Sequence, residues 1–437
     1  MGFGYSREKM SKAKFLLIGA GPFARNTYIP WVFLSPGASL EAIIDVESQE
    51  RTLKSFLKKT PAGDLELVLI PDALKHEARL PSDISAYILE IIRARGINRI
   101  ILSTEPSARQ MYFDLLAPLQ IPVLCDKPLF AEPSVCTNAA VAQRYFERAE
   151  ATIKTFRDHA TPLSMNLHRR HRESTLELLK QLKKYRRRGA ALTSMQIYYS
   201  GGSHYTYEEM LERENHPLNK GYGMLYHSGF HYIDLVSEFV ETQEWDSLDS
   251  VDVVAFKRTG DDFYRRPAGG ASGEMDLHLQ IAFKSRQNVL CLVQLALHTT
   301  GYNLRKKKNL PADLYTQMGR VKHESISLTL DPSVHLVYDS LDEHRHDAKG
   351  RYRPKVIREE LLAFDGKRNR VERVNFSSQR QNKGSKSSLL VDFARGKVVE
   401  DTLHPLAQRL FWLATRAVAS PGETFNARVK NESATAQ

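Results

Sequence analysis

Two histidines, His227 and His231, stand four residues apart in the stretch "GYGMLYHSGFHYID" (221–234), and Asp234 follows three residues later. On an α-helix, positions i and i+4 share a face, so this spacing predicts that both imidazoles point the same way. Such a pair suits metal ligation, proton transfer or plain helix packing. The metal reading has little support. The segment H-S-G-F-H lacks the glutamate of the H-E-x-x-H pattern, no third ligand is evident, and the chain has no C-x-x-C pair. An imidazole titrates near working pH, which suits it to general acid–base work. A second candidate is Lys127, in "IPVLCDKPLF". There a strand ends in Asp126-Lys127-Pro128, and an ammonium held before a stiff proline turn can donate to a substrate oxygen.

A third group is "GAGPFA" (19–24), which sets Gly19, Gly21 and Ala24 in a G-x-G-x-x-A pattern. Gly19 permits a tight turn, Gly21 lets a pyrophosphate approach the backbone, and Ala24 permits close helix–sheet packing. The following helix offers N–H groups to the anion. Asp45 closes the next strand, "EAIID", where an acid hydrogen-bonds ribose hydroxyls and repels a 2′-phosphate. That favours NAD. Arg51, further along the next helix, leaves NADP as the second choice.

The elements that position these residues follow from the hydrophobic pattern. "KFLLI", "LEAIID", "LELVLI", "RIILS" and "IPVLC" are continuous apolar runs, as expected of a parallel sheet covered on both faces. Helical stretches lie between them at 22–34, 47–59, 82–95 and 107–118, and one long helix is expected over 132–158. The second half changes texture. A basic helix over 172–187 and a helix near 224–240 accompany the strand-like runs "ALTSMQIYYS", "SVDVVAFKR", "MDLHLQIAFKS", "NVLCLVQLALHTT", "ESISLTL" and "VHLVYDS". The fold class is therefore an α/β Rossmann domain followed by an α+β domain with an open, mostly antiparallel β-sheet. The expected division is a dinucleotide-binding domain at 1–158 (1–12 a flexible tail), a substrate and oligomerisation domain at 159–420, and a disordered tail at 421–437. Residues 366–388 read as a polar loop or hairpin, and a helix near 403–419 closes the fold.

The 437 residues carry a net charge of +11, concentrated in "RRHR" (169–172), "KKYRRR" (183–188) and "RKKK" (305–308). Single-strand nucleic-acid binders interleave aromatic residues, which these runs lack, so they read as solvated faces that could also draw in a phosphate-bearing small substrate. No apolar run approaches a membrane span, and the N-terminus does not read as a secretory signal. Three cysteines, at 125, 136 and 291, argue against a disulfide framework and for a reducing cytoplasm.

Taken together, "GAGPFA", "DKP" and "GYGMLYHSGFHYID", in that order, resemble the motifs of the Gfo/Idh/MocA family of glucose-fructose oxidoreductase and inositol dehydrogenase. "NLHRRH" (166–171) is similar to the arginine-containing segment that opens the family's second domain. The resemblance spans about residues 14–335. It implies dinucleotide contacts from Gly19, Gly21, Pro22, Phe23, Ala24, Asp45, Thr104 and Lys127. It implies substrate contacts from Lys127, Arg170, His227 and His231, with Lys127, His231 and His227 catalytic. The implied reaction is hydride transfer between nicotinamide and a secondary alcohol or ketone of a sugar, cyclitol or sugar derivative, without a metal, in a homodimer or homotetramer packed through the open sheet. A dinucleotide- or sugar-sensing regulator and an imine reductase are the alternatives on this scaffold. Three residues depart from the family pattern: Asp126 stands for a glutamate, Glu105 for a proline, and His227 for an aspartate.

Overall fold

The computed structural model describes residues 12–61, 65–201, 222–243, 247–259, 273–298, 320–331, 333–346, 352–376, 378–396 and 405–428. Their contacts define two compact units. The first comprises the described parts of Met1–Ala131, Glu147–Leu167 and Lys386–His404; the second those of Glu132–Phe146, His168–Ser385 and Pro405–Gln437.

The first unit is built on six parallel strands: β1 (Ala13–Ile18), β2 (Ala38–Val46), β3 (Glu66–Ile70), β4 (Arg99–Leu102), β5 (Val123–Cys125) and β6 (Leu163–Met165). Their order is β3-β2-β1-β4-β5-β6. The apolar runs fill the sheet's two faces, and Phe15, Leu16, Leu17 and Ile18 are all essentially inaccessible. Strand order reverses between β2-β1 and β4-β5. Beyond the carboxyl ends at that switch point lies the crevice where open α/β sheets bind ligands.

The helix expected over 22–34 is interrupted. Pro22–Asn26 and Tyr28–Leu34 are separate helices, divided at Thr27, whose φ is −126°. The long helix begins at Ala139 rather than 132 and runs to Asp158. Asn138 caps it, its Oδ1 accepting the N–H groups of Ala140 and Val141 at 2.9 and 3.2 Å. Helix Ser82–Arg95 ends at Gly96, whose φ of +62° is the left-handed cap that glycine supplies at low cost.

The stretch expected over 366–388 as a polar loop or hairpin begins as a hairpin, turning at Gly366–Arg368 to a strand that pairs antiparallel with the preceding one, and then enters a helix that was not expected. Arg370–Asn375 is a strand and Ser378–Ala394 is a helix. Leu389, Leu390 and Phe393 of that helix join Phe15, Tyr28, Ile29, Val32 and Leu40 in the core of the first unit. Arg99 donates to the Phe393 and Ala394 carbonyls at 2.9 and 3.2 Å, satisfying acceptors that the helix end leaves open.

The second unit is one nine-stranded sheet: β7 (Leu192–Ser200), β8 (Ser250–Thr259), β9 (Glu274–Lys284), β10 (Val289–His298), β11 (Arg320–Leu330), β12 (Val334–His346), β13 (Tyr352–Asp365), β14 (Arg370–Asn375) and β15 (Thr424–Arg428). The order is β14-β13-β12-β11-β7-β10-β9-β8-β15, and among the described residues only β7 and β10 pair in parallel. Alternation is clear on β7, where Met195, Ile197 and Tyr199 are buried while Gln196 and Tyr198 are exposed. Helices Glu173–Arg186, Phe230–Glu241 and Pro405–Ala419 belong to this unit. Thr424–Arg428, expected in a frayed tail, pairs with β8. Residues 1–11, 305–308 and 429–437 lie outside the described residues. Among the described residues, no helix is long and apolar enough to cross a membrane.

Candidate functional site

In the first unit the glycine turn sits at the carboxyl end of β1. Gly19 has φ +84°, and a Cβ there would lie 2.6 Å from the Thr104 nitrogen and 2.7 Å from its Cα. Both conformation and space therefore demand glycine. Gly21 is different: an added Cβ would meet nothing within 4 Å. The turn is open on that side, as a backbone that receives a ligand must be. Asp45 ties the turn to β2, accepting the Ala20 N–H through Oδ2 and the Val46 N–H through Oδ1, both at 2.8 Å. A carboxylate has about four acceptor positions, so these two bonds leave room for ribose hydroxyls.

The turn also differs from expectation. Pro22 is the first helical residue and has no N–H, and the helix is only five residues long. The donors and dipole available to an anion are fewer than a long helix would supply. Ala24 is fully buried. Phe23 is 38% exposed and packs edge-on against Tyr28, with centroids 5.4 Å apart. The Lys386 ammonium lies 4.8 Å from the Phe23 ring centroid.

The loop after β4 carries Thr104. Its Oγ1 is buried without a hydrogen-bond partner in the structure, as are Ser107 Oγ and Gln110 Oε1. A buried polar atom left unsatisfied costs about 1–3 kcal/mol. Of the three, Thr104 lies against the glycine turn, and its unsatisfied hydroxyl beside that open space fits a polar ligand such as a dinucleotide. Glu105 precedes a short 3-10 turn, Pro106–Ala108.

Lys127 follows β5 in a turn whose Lys127–Pro128 peptide is cis. Asp126 anchors this turn. Its carboxylate accepts from Ser103 Oγ at 2.5 Å, from Asn166 Nδ2 at 3.1 Å and from the Tyr28 hydroxyl. Burial, then the Asp126 charge, pushes the Tyr28 phenol well above its ordinary range, so it remains a donor. Arg109, only 2% exposed, binds the two loops together. Its Nη2 and Nε donate to the Thr104 carbonyl at 2.8 and 3.1 Å, and Nη1 donates to the carbonyls of Asp126 and Pro128. Sequence reasoning passed over Arg109. Only its position in "PSARQ", directly after the fourth strand's loop, could have signalled it.

In the second unit the histidine helix opens irregularly. Leu225–Gly229 form a π turn, which continues into the α-helix Phe230–Glu241. A π turn bonds i to i+5 and is frequent at functional sites. It breaks the simple i, i+4 register, and the two histidines do not share an environment. His227 is exposed, with Nδ1 2.9 Å from Ser228 Oγ. His231 is 5% exposed and meets His168 edge to face, with centroids 4.7 Å apart at 71°. His168, in "NLHRRH", was not singled out from the sequence.

Arg170 was expected to bind substrate. The structure engages it internally instead: Nε donates to Asp234 Oδ2 at 2.7 Å, Nη2 to Asp234 Oδ1, and Nη1 lies 2.9 Å from Glu238 Oε1. Burial pushes the Asp234 carboxyl up to about 6 against the opposing pull of Arg170. The run at 169–172 is likewise not a solvated face. Arg169 contacts both Glu324 oxygens at 2.6 and 2.7 Å, and Arg172 reaches Glu324 Oε2 at 2.8 Å. The guanidinium of Arg169 also lies over the Tyr232 and Tyr199 rings, 4.5 and 5.1 Å from their centroids. The run at 183–188 does face solvent in part, with Lys183, Arg187 and Arg188 exposed. Among the described residues, no group of three or more His, Cys, Asp or Glu is arranged to hold a metal.

Glu324 gives this cluster a pH signature. Burial raises its carboxyl, but Arg169 and Arg172 outweigh burial and hold it at about 2, against an ordinary 4.5. The stability it contributes is complete above the unfolded value and is lost as pH falls toward 2. Glu324→Gln is expected to destabilise the chain by about 3–5 kcal/mol at neutral pH, because two guanidinium groups lose their buried partner. Thermal melts from pH 7 to pH 3 check this. The variant should start lower and fall less steeply with acid, and superimposable curves would contradict it.

No protein-family model and no curated protein matches the sequence. Solved structures do match. Myo-inositol dehydrogenase from Corynebacterium glutamicum is 14% identical, with TM-score 0.56 over 95% of this chain and 98% of that one. An oxidoreductase from Agrobacterium radiobacter, in complex with NAD+, L-tartaric acid and magnesium, is 13% identical, with TM-score 0.56 over 95% and 98%. The chain thus shares the two-domain fold of these solved structures. More narrowly, the fold is that of Gfo/Idh/MocA oxidoreductases, represented by a family member from Vibrio cholerae at 14% identity and TM-score 0.51 over 93% and 96%.

Proposed function

We propose that the protein is an NAD(H)-dependent oxidoreductase acting on a secondary alcohol or the matching ketone of a sugar, cyclitol or sugar derivative. The observation that carries this reading is that the Gly19–Gly21 turn, Asp45, Thr104 and Lys127 all stand at the carboxyl ends of β1, β2, β4 and β5, with the buried Thr104 hydroxyl left unsatisfied against the turn. The fold supports it, since neighbours include an inositol dehydrogenase and an oxidoreductase with bound NAD+.

The nicotinamide, when bound, supplies the hydride acceptor in one direction and the donor in the other. The chain's own residues hold and move the proton. In oxidation, His231 takes the carbinol proton as hydride leaves the same carbon, and it returns that proton in reduction. The Lys127 ammonium donates a hydrogen bond to the substrate oxygen and stabilises its developing negative charge. Asp126 and Arg109 keep the Lys127 turn in place.

A screen of the pure protein with NAD+ over cyclitols, sugars and nucleotide sugars, followed by nicotinamide absorbance, tests the activity. Reduction of NAD+ by at least one class is expected. Dinucleotide binding with no turnover across the panel would instead indicate a sensor.

Asp45 sets the cofactor choice in this account. Calorimetry should find NADH bound more tightly than NADPH by wild type, because a carboxylate repels a 2′-phosphate. Asp45→Ala should narrow that preference by about tenfold, the equivalent of 1.4 kcal/mol. An unchanged ratio would remove Asp45 from the site.

A further inference from the structure

The helix that carries His231 begins in the π turn Leu225–Gly229, and an irregular start of this kind needs an acceptor for its first N–H groups. The Leu225 N–H donates to Glu274 Oε1 at 2.7 Å. Glu274 opens β9 and is completely buried. Nearby, the two chain segments cross backbone to backbone. A Cβ on Gly223 would lie 2.2 Å from the Glu274 carbonyl oxygen and 2.3 Å from its nitrogen; one on Gly273 would lie 2.4 Å from the Gly223 nitrogen. Neither position admits a side chain, so the start of the π turn is held against the start of β9 at a fixed distance.

The carboxylate has its own support inside the unit. Lys257, on the neighbouring strand β8, donates from Nζ to the Cys136 carbonyl at 2.8 Å, and its charge acts on Glu274. Burial raises the Glu274 carboxyl; the Leu225 N–H and Lys257 oppose that rise. The backbone crossing, the helix start and the nearby Lys257 charge thus meet at one side chain.

We infer that Glu274 is a positioning residue for the acid–base histidine: by accepting the Leu225 N–H it fixes where the π turn begins, and so the rotation that leaves His227 exposed and buries His231 against His168. The inference rests on the reading of His231 as the acid–base group. Were the turn to relax to regular α-helix, residues before and after it would change relative rotation by about 100°, one residue's worth of helix.

The test uses the full chain as wild type, Glu274→Gln, Glu274→Ala and Glu274→Asp. Four quantities are measured: exchange of the Leu225 amide, melting temperature, NADH affinity, and kcat with KM on a substrate from the screen. Glu274→Gln keeps an oxygen acceptor and should retain slow Leu225 exchange and near wild-type kcat. Glu274→Ala, or Glu274→Asp if the alanine variant does not fold, should speed Leu225 exchange. It should also lower kcat toward the roughly 100-fold loss that a misplacement of about 1 Å brings, while NADH affinity stays unchanged. Unchanged exchange and kcat in the alanine or aspartate variant would overturn the inference. So would a parallel loss of kcat, NADH affinity and melting temperature, which marks a purely structural role. If wild type binds NADH but turns nothing over, the acid–base reading fails, and Leu225 exchange still decides whether Glu274 anchors the turn.

Discussion

Replacing His231 by alanine is expected to lower kcat by about 100- to 10,000-fold, the usual worth of general acid–base assistance. Affinity for NADH should not change, because His231 is no part of the glycine turn. The ring is buried and held edge-on against His168, so its loss removes an oriented imidazole rather than a mobile one. Steady-state kinetics with calorimetry on the same preparation separates the two effects. Full activity in His231→Ala would leave the imidazole as a packed helix residue.

The two glycines of the turn should respond in opposite ways to the same methyl group. Gly19→Ala places a Cβ on backbone atoms of Thr104 that cannot swing aside, in a conformation that already costs an L-residue about 1–2 kcal/mol. It should lower the melting temperature and weaken NADH at least about tenfold. Gly21→Ala meets only open space, so the fold should be untouched. Its NADH affinity should still fall, because the methyl occupies the approach that the pyrophosphate needs. Melting curves and NADH titrations of both variants check this. A Gly21→Ala protein with unchanged melting and unchanged NADH affinity would place the ligand elsewhere.

Much of the first unit was legible because parallel strands must be apolar on both faces, and runs such as "KFLLI" and "RIILS" admit little else. The second sheet was legible only where strands alternate strongly. Strand β13, with "RPKVIREELL", and the edge strand β14, with "RVERVN", hide among charges, and among their described side chains Arg358, Arg370 and Arg373 face water. Helix Ser378–Ala394 was missed for a related reason. Its first half is polar, and the anchors Leu389, Leu390 and Phe393 lie near its end. At the site, residue types were informative where backbone geometry demanded them, as at Gly19. They were silent on partners: the motif that singles out Arg170 gives no sign of Asp234 and Glu238, with which it is ion-paired. The π turn left no trace in the spacing, because an i, i+4 histidine pair looks the same whether or not the turn carries an extra residue.

Calorimetric titration of NADH into the chain decides whether the glycine turn holds a dinucleotide. Saturable binding at one site per chain is expected, with a Kd below about 1 mM, the upper range of working enzyme affinities. Absence of binding by NADH and NADPH alike at millimolar concentration would contradict it.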